Sequence, residues 1–152
     1  MLWTPNFARS LGWGIVALGA AVAGCADQTP KGPPKVELSE GKVTISSTTN
    51  AVGCVRYRIT QGRLRDKHWY RLTLSILAEG NNRLFDLYTG EASGLSTEGT
   101  VQNDCTIAPK QKAWVPGETV KYQFTLYEYE SKDPRSRGFA VSNQLVGQTQ
   151  VP

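Results

Sequence analysis

The sequence predicts an all-β protein built as a two-sheet sandwich. Three observations carry that expectation. Short apolar runs alternate with polar positions at period two, turn residues separate the runs, and no stretch repeats apolar residues at a convincing helical spacing. Fifteen glycines and eight prolines in 152 residues, mostly between the runs, fit the same class. Hydrophobic content of 39% and charged content of 20% suit one globular domain, and a net charge of +4 is too modest to imply a nucleic-acid partner.

Taken in order, residues 1–24 stand apart from the rest. The first ten residues carry Arg9 and no acid, and residues 11–23 (LGWGIVALGAAVA) are uncharged and apolar. A membrane-spanning helix needs about 20 such residues, so this run fits the shorter core of an export signal. It ends in Val22-Ala23-Gly24-Cys25. That tetrad resembles the lipobox of bacterial lipoproteins: an aliphatic residue, two small ones, then cysteine. The resemblance implies a diacylglyceryl group on the Cys25 thiol, cleavage before Cys25, and a lipid bilayer as partner. Ordinary signal-peptidase cleavage after Ala21-Val22-Ala23 is the alternative. Two or more acyl chains, as that family carries, anchor stably where one is marginal. In the enterobacterial sorting pattern of that family an aspartate directly after the cysteine favours the inner membrane. The resemblance, with Ala26 at that place, therefore implies the outer membrane in a two-membrane host, facing the periplasm or the surface.

Residues 25–34 read as the lipidated cysteine and a flexible tether, since ADQTPKGPP is polar, proline-rich and aperiodic. Such a stretch reaches about 30 Å when extended. Residues 35–152 are the expected sandwich. Residues 35–46 give KVEL, a Ser-Glu-Gly break, then KVTIS. Residues 52–60 alternate, with Val55, Tyr57 and Ile59 on one face and Arg56 and Arg58 on the other. Residues 69–77 place Tyr70, Leu72, Leu74 and Ile76 opposite Trp69, Arg71, Thr73 and Ser75. Glu79-Gly80-Asn81-Asn82 is a hairpin signal before a strand at 83–88. A weaker strand is expected at 100–107, the longest at 118–130 with Val120, Tyr122, Phe124 and Leu126 inward, and the last at 138–151. Seven or so strands at this spacing resemble an immunoglobulin-like or fibronectin-type sandwich. Trp114-Val115-Pro116-Gly117, feeding a long strand with inward aromatics, resembles a corner of such domains. A transthyretin-like sandwich or a small barrel is the alternative.

Three cysteines are an odd number for an exported chain. Lipidation uses Cys25, which leaves Cys54 and Cys105 to pair as one disulfide. In the immunoglobulin arrangement the second and fifth strands are antiparallel neighbours, and these cysteines fall at adjoining ends of the two. Their parities conflict, however. Cys54 shares the outward parity of Arg56 and Arg58, whereas Cys105 shares the parity of Val101. A bridge therefore requires an irregularity, for which Gly53 is the candidate.

Chemistry is sparse. His68, between Lys67 and Trp69, is expected at the surface, and Glu128 with Glu130 is expected to meet solvent. No nucleophile elbow, His-Glu-x-x-His pair or phosphate loop occurs, so no enzyme, cofactor or metal is expected. An enzyme site assembled from distant residues is the alternative. Arg56, Arg58, Arg63, Arg65, Lys67 and Arg71 form the most pronounced charge cluster, with Asp66 the single acid among them. That cluster suits an anionic lipid, glycolipid, cell-wall polymer or acidic protein face. Its alternative is a solvated strand face whose arginines pair with neighbouring acids. A second polar loop, Ser131-Lys132-Asp133-Pro134-Arg135-Ser136-Arg137, precedes the last strand. Tyr127 and Tyr129 are expected on the outer face. The function expected from these features is a membrane-anchored envelope lipoprotein, a non-enzymatic docking or accessory module for an envelope protein. Anionic lipid or glycan binding through the Arg/Lys cluster is the rival.

Overall fold

The structure, a computed structural model, describes residues 32–152. The expected export signal and lipobox, with Cys25, and most of the expected tether lie outside the described residues. The strands in chain order are β1 (Lys35–Ile45), β2 (Asn50–Gln61), β3 (Trp69–Ala78), β4 (Asn81–Glu91), β5 (Glu98–Thr106), β6 (Thr119–Tyr129), β7 (Gly138–Ala140) and β8 (Leu145–Gln150). One sheet has the order β1-β2-β5, and the other has β4-β3-β6 with β7 and β8 both along the free edge of β6. All named strand pairs are antiparallel. The expected all-β sandwich is present.

Period-two alternation builds the core between the sheets. Val55 and Tyr57 of β2 face Tyr70, Leu72, Leu74 and Ile76 of β3 and Val120, Tyr122, Phe124 and Leu126 of β6, all of them buried. Burying each such side chain is worth about 1.5–3 kcal/mol relative to leaving it in water. The Ser-Glu-Gly break is a bulge rather than an end to the strand. The register shifts between Ser39 and Lys42, and Glu40 takes φ 51. Gly41 fits there because a Cβ would stand 2.5 Å from Leu145 and 2.9 Å from Phe124. The Glu79-Gly80 hairpin forms with Gly80 at φ 65. Val115-Pro116-Gly117-Glu118 closes as a turn, Glu118 N–H donating to Val115 O at 3.1 Å, with Gly117 at φ 80.

The expected last strand divides in two. At Val141 the chain leaves β6 and crosses to β1, where Val36 N–H donates to Val141 O at 2.9 Å and Ser142 bridges Val36 in parallel. The Asn143 side chain then behaves like a strand backbone. Its Oδ1 accepts from Leu38 N–H at 2.7 Å and its Nδ2 donates to Leu38 O at 3.1 Å. The two sheets are knitted at this edge, which explains the interruption. Pro34, expected in the tether, is fully buried, so packing starts one residue earlier than the pattern implies.

The expected disulfide is corrected. Cys54 and Cys105 are both free thiols. The β2–β5 register runs without a shift from Asn50↔Thr106 to Arg58↔Glu98, so no bulge reconciles the parities. Cys105 stands opposite Ala51, three positions from Cys54, and is buried while Cys54 is half-buried. Three positions along a strand is about 10 Å, and an odd offset also points the side chains to opposite faces.

Candidate functional site

The two ends of the sandwich differ in residue chemistry. Lys35 pairs with Gln61, Trp69 with Glu91 and Tyr129, and Tyr129 with Gly138, which puts the chain entry and the loops 62–68, 92–97 and 130–137 at one end. The turns 46–49 and 79–80 and the loop 107–118 lie at the other.

At the entry end, the 62–68 loop folds down onto β6. Gly62 (φ 71) releases the chain from β2, and buried Leu64 anchors the loop. Lys67 takes φ 66, and His68 N–H donates to Arg65 O at 3.3 Å. This turn aims Arg65 at Glu128, whose side chain is 1% exposed. The guanidinium binds both carboxylate oxygens, Nε to Oε1 at 2.8 Å and Nη2 to Oε2 at 2.5 Å. Tyr70 Oη donates to Oε1 at 2.6 Å and accepts from Arg65 N–H at 2.7 Å. His68 Nδ1 lies 3.2 Å from Oε1, close enough for a charge contact but not aligned as a hydrogen bond.

Burial alone would raise the Glu128 carboxyl. The bonds from Arg65 and Tyr70 outweigh it and hold the group below its ordinary value. The Tyr70 hydroxyl is pushed up, first by burial and then by its bond to Glu128, so it stays protonated. A general base needs a free lone pair and a pKa near the working pH. Glu128 is held below its ordinary value and already accepts three hydrogen bonds, so the cluster works as a clamp on the loop. The expectations for two residues are corrected here. Glu128 is buried rather than solvated because the Arg65 loop covers it, and His68 is half-buried beside it rather than on the surface. The signal was in the parity, since Glu128 continues the inward series 120, 122, 124, 126. Its partner lies 63 residues away and shows no local pattern. Glu130 is exposed as expected.

The structure disperses the basic cluster. Arg56 pairs with Glu40 at 3.3 Å and Arg58 with Glu98 at 3.0 Å on the outer face of the three-stranded sheet. Arg71 grips Asp86 with two bonds of 2.8 Å on the outer face of the other sheet. Those surfaces are on opposite sides of the molecule, so cross-strand pairing accounts for these three. Arg63 and Lys67 are exposed in the loop, and among the described residues neither meets an acid at ion-pair distance. The second loop projects Lys132, Arg135 and Arg137 from the same end. Asp133 shapes it, its Oδ1 accepting from Arg135 N–H at 2.9 Å. Arg137 lies over the Phe139 ring, 5.3 Å from its centroid.

Tyr127 and Tyr129 do face outward, opposite Arg71 and Trp69, and are half-buried. Tyr129, with Trp69 and 131–134, borders a cleft of about 220 Å³. A larger open cleft of about 840 Å³ follows the chain entry between residues 32–37 and 140–143. Among the described residues, no three of His, Cys, Asp and Glu gather as a metal site, and no helix is long and apolar enough to cross a membrane.

No family model matches the chain, and neither does any curated protein. Several solved structures are similar at a distance, two of them from one enzyme. One is β-glucosidase 3B from Thermotoga neapolitana in complex with glucose, at 13% identity and TM-score 0.36, covering 76% of this chain and 17% of that one. The other is the same enzyme in complex with α-D-glucose, at 13% identity and TM-score 0.35, with the same coverage. The chain thus spans only 17% of the length of these structures, and its likeness to them carries neither activity nor ligand.

Proposed function

We propose that this chain is a lipid-anchored lipoprotein of the bacterial cell envelope, whose sandwich is a non-enzymatic docking module for a protein partner. The observation that carries the anchoring is the Val22-Ala23-Gly24-Cys25 ending of an apolar run, only nine residues before the packed domain starts at Pro34. Acyl chains on Cys25 tie the domain to one leaflet, that of the outer membrane where the host has one. Within the sandwich class we read the fold as immunoglobulin-like, supported by the β1-β2-β5 grouping against β3-β6. In this chain β4 joins the second sheet, unlike the constant-type arrangement.

Docking is supported by the distribution of exposed apolar groups. Leu84 and Val146 are 61% and 68% exposed, and with Leu77 they project from the outer face of the five-stranded sheet, in the half away from chain entry. Leu77 and Val146 flank a groove of about 430 Å³ with Tyr122 and Gly147. Leu84 and Val146 lie at the two edges of this face with Ser75 and Gln123 between them, and an exposed sheet face with apolar side chains at both edges suits a protein contact. The rival is anionic binding through Arg56, Arg58, Arg63, Arg65, Lys67 and Arg71 as one patch. It loses ground because four of them, Arg56, Arg58, Arg65 and Arg71, already hold a carboxylate, which leaves Arg63 and Lys67.

Intact-mass measurement of the chain from its native envelope tests the anchor, with a diacylglyceryl-modified start at Cys25 expected. Cys25→Ser should release it from the membrane fraction, and an unmodified start would overturn the reading. For docking, Leu84→Glu with Val146→Glu should abolish a partner complex that survives high salt. Loss of that complex on raising salt alone would favour the rival.

A further inference from the structure

We propose that the entry end of the sandwich rests against the anionic phospholipid headgroups of the leaflet that holds Cys25. This inference depends on the lipid-anchor reading and adds the orientation of the domain and the lipid chemistry it meets. Topology carries it. The loops 62–68 and 130–137 are far apart along the chain, yet strand pairing brings both to the end where the chain arrives from Cys25.

The first loop exposes Arg63 and Lys67, the second Lys132, Arg135 and Arg137, and exposed Lys35 opens β1 beside them. The acids at this end are fewer. Asp66, Glu130 and Asp133 lie in the two loops and Glu91 closes β4, while Glu98 is already paired with Arg58 and Asp133 lies 3.8 Å from the Arg135 guanidinium. The opposite end sets Lys110, Lys112 and Arg83, which donates to Lys112 O, against Glu79 and Glu118, a smaller excess.

The tether supplies the second argument. Nine residues from Cys25 to Pro33 span about 30 Å at most, so the domain stays within reach of its leaflet. An anionic leaflet attracts basic segments beside it, and each Lys or Arg near the surface is worth about five-fold in affinity. Phe139, 48% exposed under the Arg137 guanidinium, adds an aromatic edge with a cationic tip at the same end.

The test uses the acylated chain from its native host, reconstituted in phosphatidylcholine vesicles with and without phosphatidylglycerol. Amide hydrogen exchange is read for 62–68 and 130–137, with 107–118 as the internal comparison. In anionic vesicles both entry-end loops should exchange about five-fold more slowly or better, matching at least one engaged cation. That protection should vanish at about 1 M salt, where the screening length is about 3 Å. Arg63→Glu with Lys67→Glu and Arg135→Glu should lose it, while Lys110→Glu with Lys112→Glu should keep it. Unchanged exchange in β3 and β6 shows that the variants are folded. Equal exchange in both vesicle types overturns this inference and leaves the anchor standing. A chain without acyl mass overturns the anchor and this inference together.

Discussion

At the entry end, the sandwich is closed by charge: one buried carboxylate, the arginine and tyrosine that bind it, and a histidine alongside. At the far end it is closed by an indole and by backbone. Trp114 is 2% exposed, its ring lies 6.3 Å from that of Phe85, and its backbone N–H donates to Thr48 O at 2.8 Å. Asn81 Nδ2 donates to Lys112 O at 3.0 Å, and Gly117 N–H to Val151 O at 2.9 Å. The Cys105 thiol at that end is pushed up to about 11, chiefly by burial, and stays neutral. One fold thus closes one end with a buried ion pair and the other chiefly with packing and backbone bonds.

Damage at the far end should be the more costly. Trp114→Ala removes a fully buried indole and should cost about 3–5 kcal/mol in urea unfolding. Arg65→Ala should cost less, about 2–3 kcal/mol. It strands a buried carboxylate, but water reaches the half-exposed guanidinium and already screens the pair. Arg65→Met combined with Glu128→Leu should then recover only part of that loss, because no charge is left buried but the Tyr70 hydroxyl loses its acceptor. An Arg65→Ala cost above that of Trp114→Ala would reverse the ranking of the two ends.

Acid should separate the ends by slope rather than by size. Glu128 is held below its ordinary value in the folded state, so its contribution is complete at neutral pH. It fades as pH falls past the unfolded glutamate value of about 4.3 and is gone below the lower folded value. Urea midpoints from pH 7 down to 3 should therefore fall less steeply in Glu128→Gln than in the parent chain. Trp114→Phe should keep the parent's slope. Equal slopes in the parent and Glu128→Gln would remove the entry end's pH dependence.

Legibility in the sequence follows the same division. Alternation marked the inward faces of β2, β3 and β6, and the turn residues Gly80 and Pro116-Gly117 marked the corners, because each signal is local. The split of the last strand was hidden, since it depends on Asn143 bonding to Leu38, 105 residues away. The charge cluster was visible as a run of arginines. Its dispersal over two outer faces was not, because Arg56 and Arg71 belong to strands of different sheets. Glu128 stood at an inward parity but lacked a visible partner.

At the bottom of the scale the expected change is nil, and it bears on the far end alone. Cys54 and Cys105 lie near the turn side of β2 and β5, where a bridge would have stapled that end by about 4 kcal/mol. With both thiols free, reductant should leave the urea midpoint unchanged. Under native conditions a thiol reagent should label half-buried Cys54 ahead of Cys105, which is more deeply buried and holds its proton. Cys54→Ser should then change stability by less than about 0.5 kcal/mol, as for an ordinary surface substitution. Cys105→Ser should cost about 1–3 kcal/mol by putting a hydroxyl into an apolar site. A midpoint that drops with reductant would mean that the β2–β5 register slips far enough to bring Cys54 across from Cys105. The far end would then be held by a covalent bond rather than by packing.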